Sequence, residues 1–337
     1  MRRALTPFRL AAAGVVLLVV TALVLWLVPS DDFLLLPDPA HPVAPLVTVK
    51  GEQKPRGPGG IYFVDVLERH ASLLESLFPG LRSEATLVPA DQLAPPGTSD
   101  KARIQQDLLE MARSQKVAAA VALRQLGYKV RARPVGVIVD AVDPTSHAAG
   151  VIQATDVIVA ADGKPVRTIA DLRRALAGHK VGDVVKLTVR RGDQQEHVSV
   201  KTVAAPDDPH RPIVGFAPDQ AADVQLPIPV RIDAGGVGGP SAGLAFALEV
   251  MEKLGRDVDH GHRVAATGQI NLNGSVTPIG GVKQKTIGAR RAKVDVFLVP
   301  AGDNAREARK YAHGLRIVAV RNFQDALHAL AALPPGD

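Results

Sequence analysis

The chain has 337 residues, enough for two domains of ordinary size, and 46% of its residues are hydrophobic. It has no cysteine, which excludes disulfides, thiolate metal sites and a cysteine nucleophile. The net charge is +6 and the pI is near 9.6, but charges of both signs are interspersed and aromatic residues are only 4%. Because basic runs beside stacking aromatics are missing, we expect no nucleic-acid binding.

The first predicted element is a membrane-spanning helix over residues 10–28. Three arginines precede this apolar run, and Asp31 and Asp32 follow it. Its 19 residues extend about 28 Å as a helix, close to the thickness of a bilayer core. The charge order predicts that residues 1–9 are cytoplasmic and that the remainder lies outside the cell membrane. A cleaved signal peptide is the alternative, but the run is long and no small-x-small cleavage site follows it.

Residues 29–45 contain five prolines and are predicted to form a stalk. Beyond them, alternating strand-like and helical spacing begins. The predicted elements are short strands at 46–49 and 61–66, a helix at 67–78, and a long helix that begins at Ser99 or Asp100 and stops at Gly127.

Residues 126–205 carry short strands broken by tight turns. Thr168 opens a predicted helix over 169–177, with Asp171 as its capping partner. The predicted strands run over 134–139, 184–189 and 197–200, the last two joined at Arg191-Gly192-Asp193.

This succession resembles a PDZ domain of the kind attached to bacterial periplasmic proteases, with Thr155-Asp156 where that family usually has Gly-Asp. The resemblance implies that a peptide C-terminus binds as an added strand, held by backbone N–H groups. The matching loop comprises Val135, Gly136, Val137 and Ile138. The alternative is that these are core strand residues without a ligand, because a fold alone does not prove a site.

After the PDZ-like segment, apolar residues alternate strictly over 224–232. Pro227 and Pro229 lie on one side of this stretch, which predicts an edge strand able to receive an extended substrate. Alternating strands and helices follow and indicate an α+β or α/β layer. They are predicted at 294–299, 304–312, 316–320 and 323–330.

Two motifs in this last region carry the candidate chemistry. The sequence Gly-Gly-Pro-Ser-Ala-Gly over 238–243 places Ser241 at the start of a predicted helix over 244–254. The sequence Pro-Ile-Gly-Gly-Val-Lys-Gln-Lys over 278–285 places Lys285 near the start of another helix, 44 residues after the serine. A serine hydroxyl needs a base to become a good nucleophile, and a lysine is a base only when its pKa is lowered so that it is neutral.

Two lysines, Lys283 and Lys285, compete for this role. They lie about 200° apart on a helix, so only one of them can face the serine. Lys285 shares a small, largely apolar face with Val282 and Ala289, which favours a desolvated amine. Lys283 lies on the charged side with Arg290 and is expected to be a solvated surface charge.

Together the two motifs resemble the proteolytic domain of the Lon proteases, with matching residues from Gly239 to Asn304. The resemblance implies a catalytic dyad of Ser241 and Lys285. It also implies a possible homo-oligomer, a hexameric ring. No Gly-x-x-x-x-Gly-Lys-Ser/Thr loop occurs in the sequence, so the ATPase module of soluble Lon proteases is not expected here.

The resemblance assigns supporting positions as well. The hydroxyl of Thr267 is expected to orient the lysine amine, and Gly239, Pro240 and Ala242 to support the serine. Backbone N–H groups at the helix start are expected to stabilise the oxyanion. Gly238 departs from the family, because many Lon domains carry an acidic residue there.

The overall prediction is an α+β protein in which the PDZ-like segment is inserted within a mixed α/β peptidase domain. Residues 46–125 would form the first part of that domain and residues 206–333 the part with the dyad. The rival arrangement is three domains in succession.

The stretch 257–262, Asp-Val-Asp-His-Gly-His, could suggest a metal site. No recognisable motif supplies a third ligand, so we predict no metal and no cofactor. A Ser-His-Asp triad with His260 or His262 is formally possible, but the Lys285 motif makes it unnecessary.

The predicted function is that of a membrane-anchored, extracytoplasmic serine endopeptidase, independent of ATP, that acts on proteins or peptides. Its PDZ domain would bind the C-termini of substrates or partners. The alternative is a non-catalytic, PDZ-bearing membrane scaffold that keeps the peptidase fold.

Overall fold

The computed structural model describes residues 7–53, 59–93 and 100–334. Its helices are α1 (Pro7–Leu27), α2 (Leu73–Leu77), α3 (Ala90–Leu93), α4 (Asp100–Gln125), α5 (Ile169–Leu176), α6 (Gly243–Lys253), α7 (Val282–Arg291), α8 (Asp303–Tyr311) and α9 (Phe323–Ala331). Its strands are β1 (Pro29–Pro37), β2 (His41–Pro42), β3 (Val47–Val49), β4 (Gly60–Phe63), β5 (Val66–Ser72), β6 (Thr86–Val88), β7 (Arg131–Val142), β8 (Val157–Ala161), β9 (Lys164–Pro165), β10 (Val184–Arg191), β11 (Gln194–Lys201), β12 (Val203–Ala205), β13 (Asp208–Ile213), β14 (Phe216–Gln225), β15 (Val230–Ile232), β16 (Arg263–Ala266), β17 (Gln269–Ile270), β18 (Val276–Thr277), β19 (Val296–Pro300) and β20 (Arg316–Val320).

A five-stranded sheet in the order β2-β4-β16-β19-β20 organises the candidate peptidase region. Strands β4, β16, β19 and β20 run parallel, and β2 pairs antiparallel at the edge. Every residue of β19 is buried, as expected for a parallel strand covered on both faces. Phe246 and Leu248 of α6 belong to the core on one face, while Phe297 and Val299 of β19 belong to a second core with α7 and α8.

Two separate parts of the chain build this sheet. Strands β2 and β4 come before the PDZ-like segment, and β16, β19 and β20 come after it. The pairing of β4 with β16 therefore closes one sheet around the intervening residues. This topology agrees with the predicted insertion and not with three successive domains.

The PDZ-like segment forms its own sheet in the order β11-β10-β8-β7-β14, with β9 beside β8 and its own apolar core. The predicted capping of α5 is confirmed, since Asp171 N–H donates to Thr168 Oγ1 at 3.1 Å and Thr168 N–H donates to the Asp171 carboxylate at 2.9 Å. Thr155 has φ +72°, a conformation that favours glycine, which accounts for the glycine usual at this position.

Two predictions for the N-terminal region are wrong. Residues 29–45 are not a stalk, because β1 is the central strand of a sheet in the order β5-β1-β6 and its Leu34 is buried. Residues 67–78 are not one helix, because they continue β5 as far as Ser72 and only then form the short helix α2. Both errors have one cause: β1 pairs with β5, and that long-range ladder overrides local proline content and helical spacing.

The predicted single strand over 224–232 is also wrong. Strand β14 ends at Gln225 and pairs with β7 of the PDZ sheet, whereas β15 pairs with β3. Pro227 and Pro229 lack the N–H groups that a continuous strand ladder needs. The chain therefore leaves the PDZ sheet after β14 and joins β3 only at β15. The PDZ sheet therefore includes a strand beyond residue 205.

The predicted membrane span over 10–28 is not supported. Across the described residues, no helix combines the length and apolar character needed to cross a membrane.

Candidate active site

Ser241 lies in a short 3-10 turn that leads directly into α6. Gly239 begins the turn with φ +79°, where a side chain would be strained. Its N–H donates to the carbonyl oxygen of Asp107 at 2.8 Å, and the hydroxyl of Ser114 donates to the carbonyl oxygen of Pro240 at 2.9 Å. Asp107 and Ser114 both lie on α4. This helix therefore holds the backbone of the two residues that come directly before Ser241.

The end of β16 fixes the backbone of the serine. The Ser241 carbonyl oxygen accepts hydrogen bonds from Gly268 N–H at 2.7 Å and from Thr267 Oγ1 at 3.2 Å. The hydroxyl of Thr267 thus bonds to the serine carbonyl and not, as the Lon resemblance implies, to the lysine amine. Thr267 is thus placed to hold the serine backbone, while the buried Ala242 joins the core beneath the turn.

Lys285 meets the serine from the neighbouring helix α7. Its Nζ donates to Ser241 Oγ at 2.8 Å. Gly281, with φ +67°, is the N-cap of this helix, and Lys285 N–H donates to the Gly281 carbonyl oxygen to close the first turn. Val282 and Ala289 are buried on the same face, as the helical spacing predicted.

Lys283 is held elsewhere. Its Nζ donates to the carbonyl oxygens of Ser83 at 2.8 Å and Ala85 at 2.9 Å, and it lies 5.7 Å from the centre of the Tyr311 ring. The side chain is partly buried, so the expectation of a solvated surface charge is wrong. The contacts give Lys283 a role in attaching the segment before β6 to α7.

The two members of the pair have contrasting environments. Ser241 is partly exposed, whereas Lys285 is only 5% exposed. Burial lowers the pKa of Lys285 to about 8, against the opposing charges of Asp65 and Glu68. About a tenth of the amine is therefore neutral at pH 7, next to a hydroxyl that a substrate can reach.

Contacts with α4 leave no room for a side chain at Gly238 and occupy the N–H group of Gly239. Gly238 packs against α4, and a Cβ at this position would come within 2.6 Å of the Asp107 Cβ. An acidic side chain here would collide with α4, which explains the departure from the Lon pattern. Because Gly239 N–H is bonded to the Asp107 carbonyl oxygen, it is not available to bind an oxyanion.

The predicted peptide-binding residues 135–138 all lie in β7 of the PDZ sheet. Val137 pairs with Ile158 of β8 on one side and with Gln220 of β14 on the other. The Gln220 side chain also donates to the carbonyl oxygens of Gly136 and Arg167, the latter just before α5. The edge of β7 at which a peptide would be added is therefore occupied by a strand of the same chain.

Adjacent residues of α4 connect this sheet to the serine turn. Arg113 pairs with Asp140 of β7 at 2.9 Å and with Asp219 of β14, while Ser114 bonds to Pro240. A cleft at this junction is lined by these α4 residues, Asp140 and Pro240. The PDZ sheet and the turn that carries Ser241 thus share one helix as support.

Sequence reasoning did not single out Asp65, Asp107, Arg113 or Ser114. A usable signal existed for Ser114, a polar residue on the apolar face of α4, where it is buried. The contacts of the others depend on the tertiary arrangement.

The stretch 257–262 contributes only its two aspartates to a group of side chains that could bind a cation. Asp257 and Asp259 lie near Glu252 in this group, which does not include His260 or His262.

Comparison with known proteins agrees with both resemblances. Residues 210–332 match the Lon protease C-terminal proteolytic domain, and residues 123–202 match the PDZ domain. The chain therefore combines a Lon-type proteolytic domain with a PDZ domain.

Similar curated proteins are Lon proteases. The chain is 35% identical over 123 residues to Lon protease 2 of Bacillus subtilis, covering 36% of this chain and 21% of that protein. It is 37% identical over 106 residues to Lon protease 1 of Sorangium cellulosum, covering 28% and 13% respectively. The chain thus spans about a fifth or less of the length of these relatives. Among solved structures, the PDZ domain of the SdrC-like protein from Listeria monocytogenes aligns with 29% identity and a TM-score of 0.23, covering 25% of this chain and 87% of that one.

Proposed function

We propose that the chain is a serine endopeptidase that cleaves protein or peptide substrates. The observation that carries this proposal is the 2.8 Å contact between the hydroxyl of Ser241 and the buried amine of Lys285. Neutral Lys285 takes the serine proton as Oγ attacks the substrate carbonyl carbon. The lysine then gives this proton to the leaving amine, and later activates the water that hydrolyses the acyl-enzyme.

The test uses the full chain, purified in detergent, with an unfolded protein as substrate and no added nucleotide. Cleavage without nucleotide is expected, because the sequence contains no phosphate-binding loop of the Gly-x-x-x-x-Gly-Lys-Ser/Thr type. Ser241→Ala should abolish it, since the nucleophile is removed. Ser199→Ala, at an exposed position of β11, is the matched control and should retain it. Equal cleavage by both variants would show that Ser241 is not the nucleophile, whereas no cleavage by the wild type and Ser199→Ala would favour the non-catalytic scaffold.

We also propose, from the apolar run over residues 10–28 and the charges on either side of it, that the chain is held at a cell membrane with its catalytic part outside the cytoplasm. The support is the exposed apolar surface of α1, including Leu17, Leu18 and Leu27, together with the arginines before it and the acids after it. Expressed in bacteria, the chain should stay with membranes after alkaline extraction. Protease added to spheroplasts should then degrade it. Protection until the cells are lysed would reverse the proposed orientation.

For the PDZ domain, we propose that it takes up a peptide C-terminus in exchange for β14. By resemblance to PDZ domains, a peptide is expected beside β7. Strand β14 fills that edge with a ladder from Phe216 to Gln225. Ala221 of β14 is buried against Ile138 and Val157, so the strand makes apolar contacts of the kind a peptide would make. Uptake of a peptide would therefore separate Asp219 from Arg113. Arg113 is followed by Ser114, the α4 residue whose hydroxyl bonds to Pro240 in the serine turn.

Weakening β14 tests this exchange. Ala221→Asp places a charge in the buried interface with β7 and should raise the affinity for free-carboxylate peptides at least about tenfold. Ala217→Asp, at an exposed position of the same strand, is the control and should bind as the wild type does. Amidated peptides should bind weakly to all three proteins. Equal affinity of the three for free-carboxylate peptides would show that β14 does not compete with them.

A ring of subunits is a further proposal that rests on the Lon resemblance alone. Analytical ultracentrifugation of the purified chain would test it, with a hexamer expected and a monomer contradicting it.

A further inference from the structure

Asp65 interacts electrostatically with the buried Lys285, although the two residues are far apart in sequence. It follows β4, whose Phe63 pairs in parallel with Ala266 of β16. The carboxyl ends of parallel neighbours emerge at one edge of a sheet. Asp65 and Thr267, the residue that bonds to the Ser241 carbonyl, therefore leave the sheet at the same edge.

The segment that carries Asp65 packs against α7, the helix of Lys285. Gly281, at the start of α7, lies against Val66, since a Cβ on that glycine would come within 2.7 Å of the valine side chain. Gly288, near the other end of α7, lies so close to the carbonyl oxygen of Asp38 that a Cβ on the glycine would overlap this oxygen. Lys285 lies between these two contacts. The segments that carry Asp65 and Asp38 thus contact α7 on either side of Lys285, before and after it along the helix.

The Asp65 carboxylate has an unused acceptor. Its Oδ1 is inaccessible to solvent and, among the described residues, has no hydrogen-bond partner. The ring Nε2 of His41 lies 3.9 Å from this oxygen and is itself hydrogen-bonded to the Asp38 carboxylate at 3.0 Å. Burial and Asp38 raise the pKa of Asp65, whereas His41 and Lys285 lower it.

Glu68 also acts on Lys285, but its charge has another partner. Its carboxylate pairs with Arg103 at 2.5 Å, and its side chain is 36% exposed. Solvent and the guanidinium both weaken its influence on the lysine. Of these two acids, Asp65 therefore interacts more strongly with a positive charge on Lys285.

We propose that Asp65 is a positioning residue whose carboxylate stabilises the ammonium that Lys285 becomes on taking the Ser241 proton. This inference rests on the proposed peptidase function. A nearby negative charge makes the amine a stronger base, at the expense of a smaller neutral fraction at a given pH. The proton itself stays on Lys285 until the leaving amine takes it.

The test is the pH profile of kcat/KM for the full-length Asp65→Asn variant, with an unfolded protein as substrate. Removing the negative charge should move the rising limb to lower pH by about one unit and lower the plateau about tenfold or more. Asp303→Asn, at the exposed start of α8, should leave the profile unchanged. Thermal unfolding of each variant shows whether it is folded.

An unshifted or upward-shifted profile in folded Asp65→Asn would overturn the role of Asp65 while leaving the dyad intact. Failure of the proposed function is a separate result, since Ser241→Ala would then cleave as well as the wild type. A plateau loss without a shift would indicate a merely structural residue and would also overturn the inference.

Discussion

Lys285→Ala should lower kcat/KM by about 10² to 10⁴, whereas Lys283→Ala should stay within about threefold of the wild type. The first variant removes the amine that lies 2.8 Å from the Ser241 hydroxyl. The second removes contacts to the carbonyl oxygens of Ser83 and Ala85, which lie outside the catalytic pair. Steady-state kinetics on one peptide substrate would measure both effects.

Lys285→Arg distinguishes the base from a simple positive charge. A guanidinium stays protonated at any working pH, so this variant should be nearly as inactive as Lys285→Ala. Near-normal rates in either Lys285 variant, or a large loss in folded Lys283→Ala, would contradict the assignment of the base.

The second large effect expected is the pH dependence. Lys285 acts as a base only when neutral, so kcat/KM should rise with pH through the pKa of the lysine, which burial lowers to about 8. About 1% of the amine is neutral at pH 6 and about half at pH 8, which predicts an increase of about fiftyfold. A lysine at its usual pKa of 10.5 would be only about 0.3% neutral at pH 8.

The direction of this change is diagnostic. Desolvation disfavours the ammonium, so the profile should flatten above about pH 9, where about nine-tenths of the amine is neutral. A maximum below pH 7, with the protein still folded, would contradict a lysine base. Circular dichroism at each pH would separate loss of activity from unfolding.

Short-range signals were sufficient for several elements. The capping pair Thr168 and Asp171 determines where α5 begins, and Arg191-Gly192-Asp193 marks the turn between β10 and β11. The choice between Lys283 and Lys285 followed from helical period, since the apolar face of α7 includes only one of them. Each of these features depends on residues a few positions apart, so a single sequence contains the necessary information.

Other features depended on partners distant in the chain. Proline content predicted a stalk where β1 is the centre of a sheet, because nothing in residues 29–45 reveals that β5 will pair with them. The same holds for β14, whose sequence does not indicate that it covers the predicted peptide edge of β7.

The sequence by itself determined the two motifs, the identity of the serine and the lysine, and the local elements that carry them. Only the tertiary structure decided that Thr267 supports the serine backbone, that α4 links the PDZ sheet to the serine turn, and that Val66, the residue after Asp65, packs against the start of α7. The physical reason is the range of the interactions. Capping, turns and helical faces are settled within one or two turns of chain, whereas strand pairing and the burial of charges require segments that are far apart in sequence.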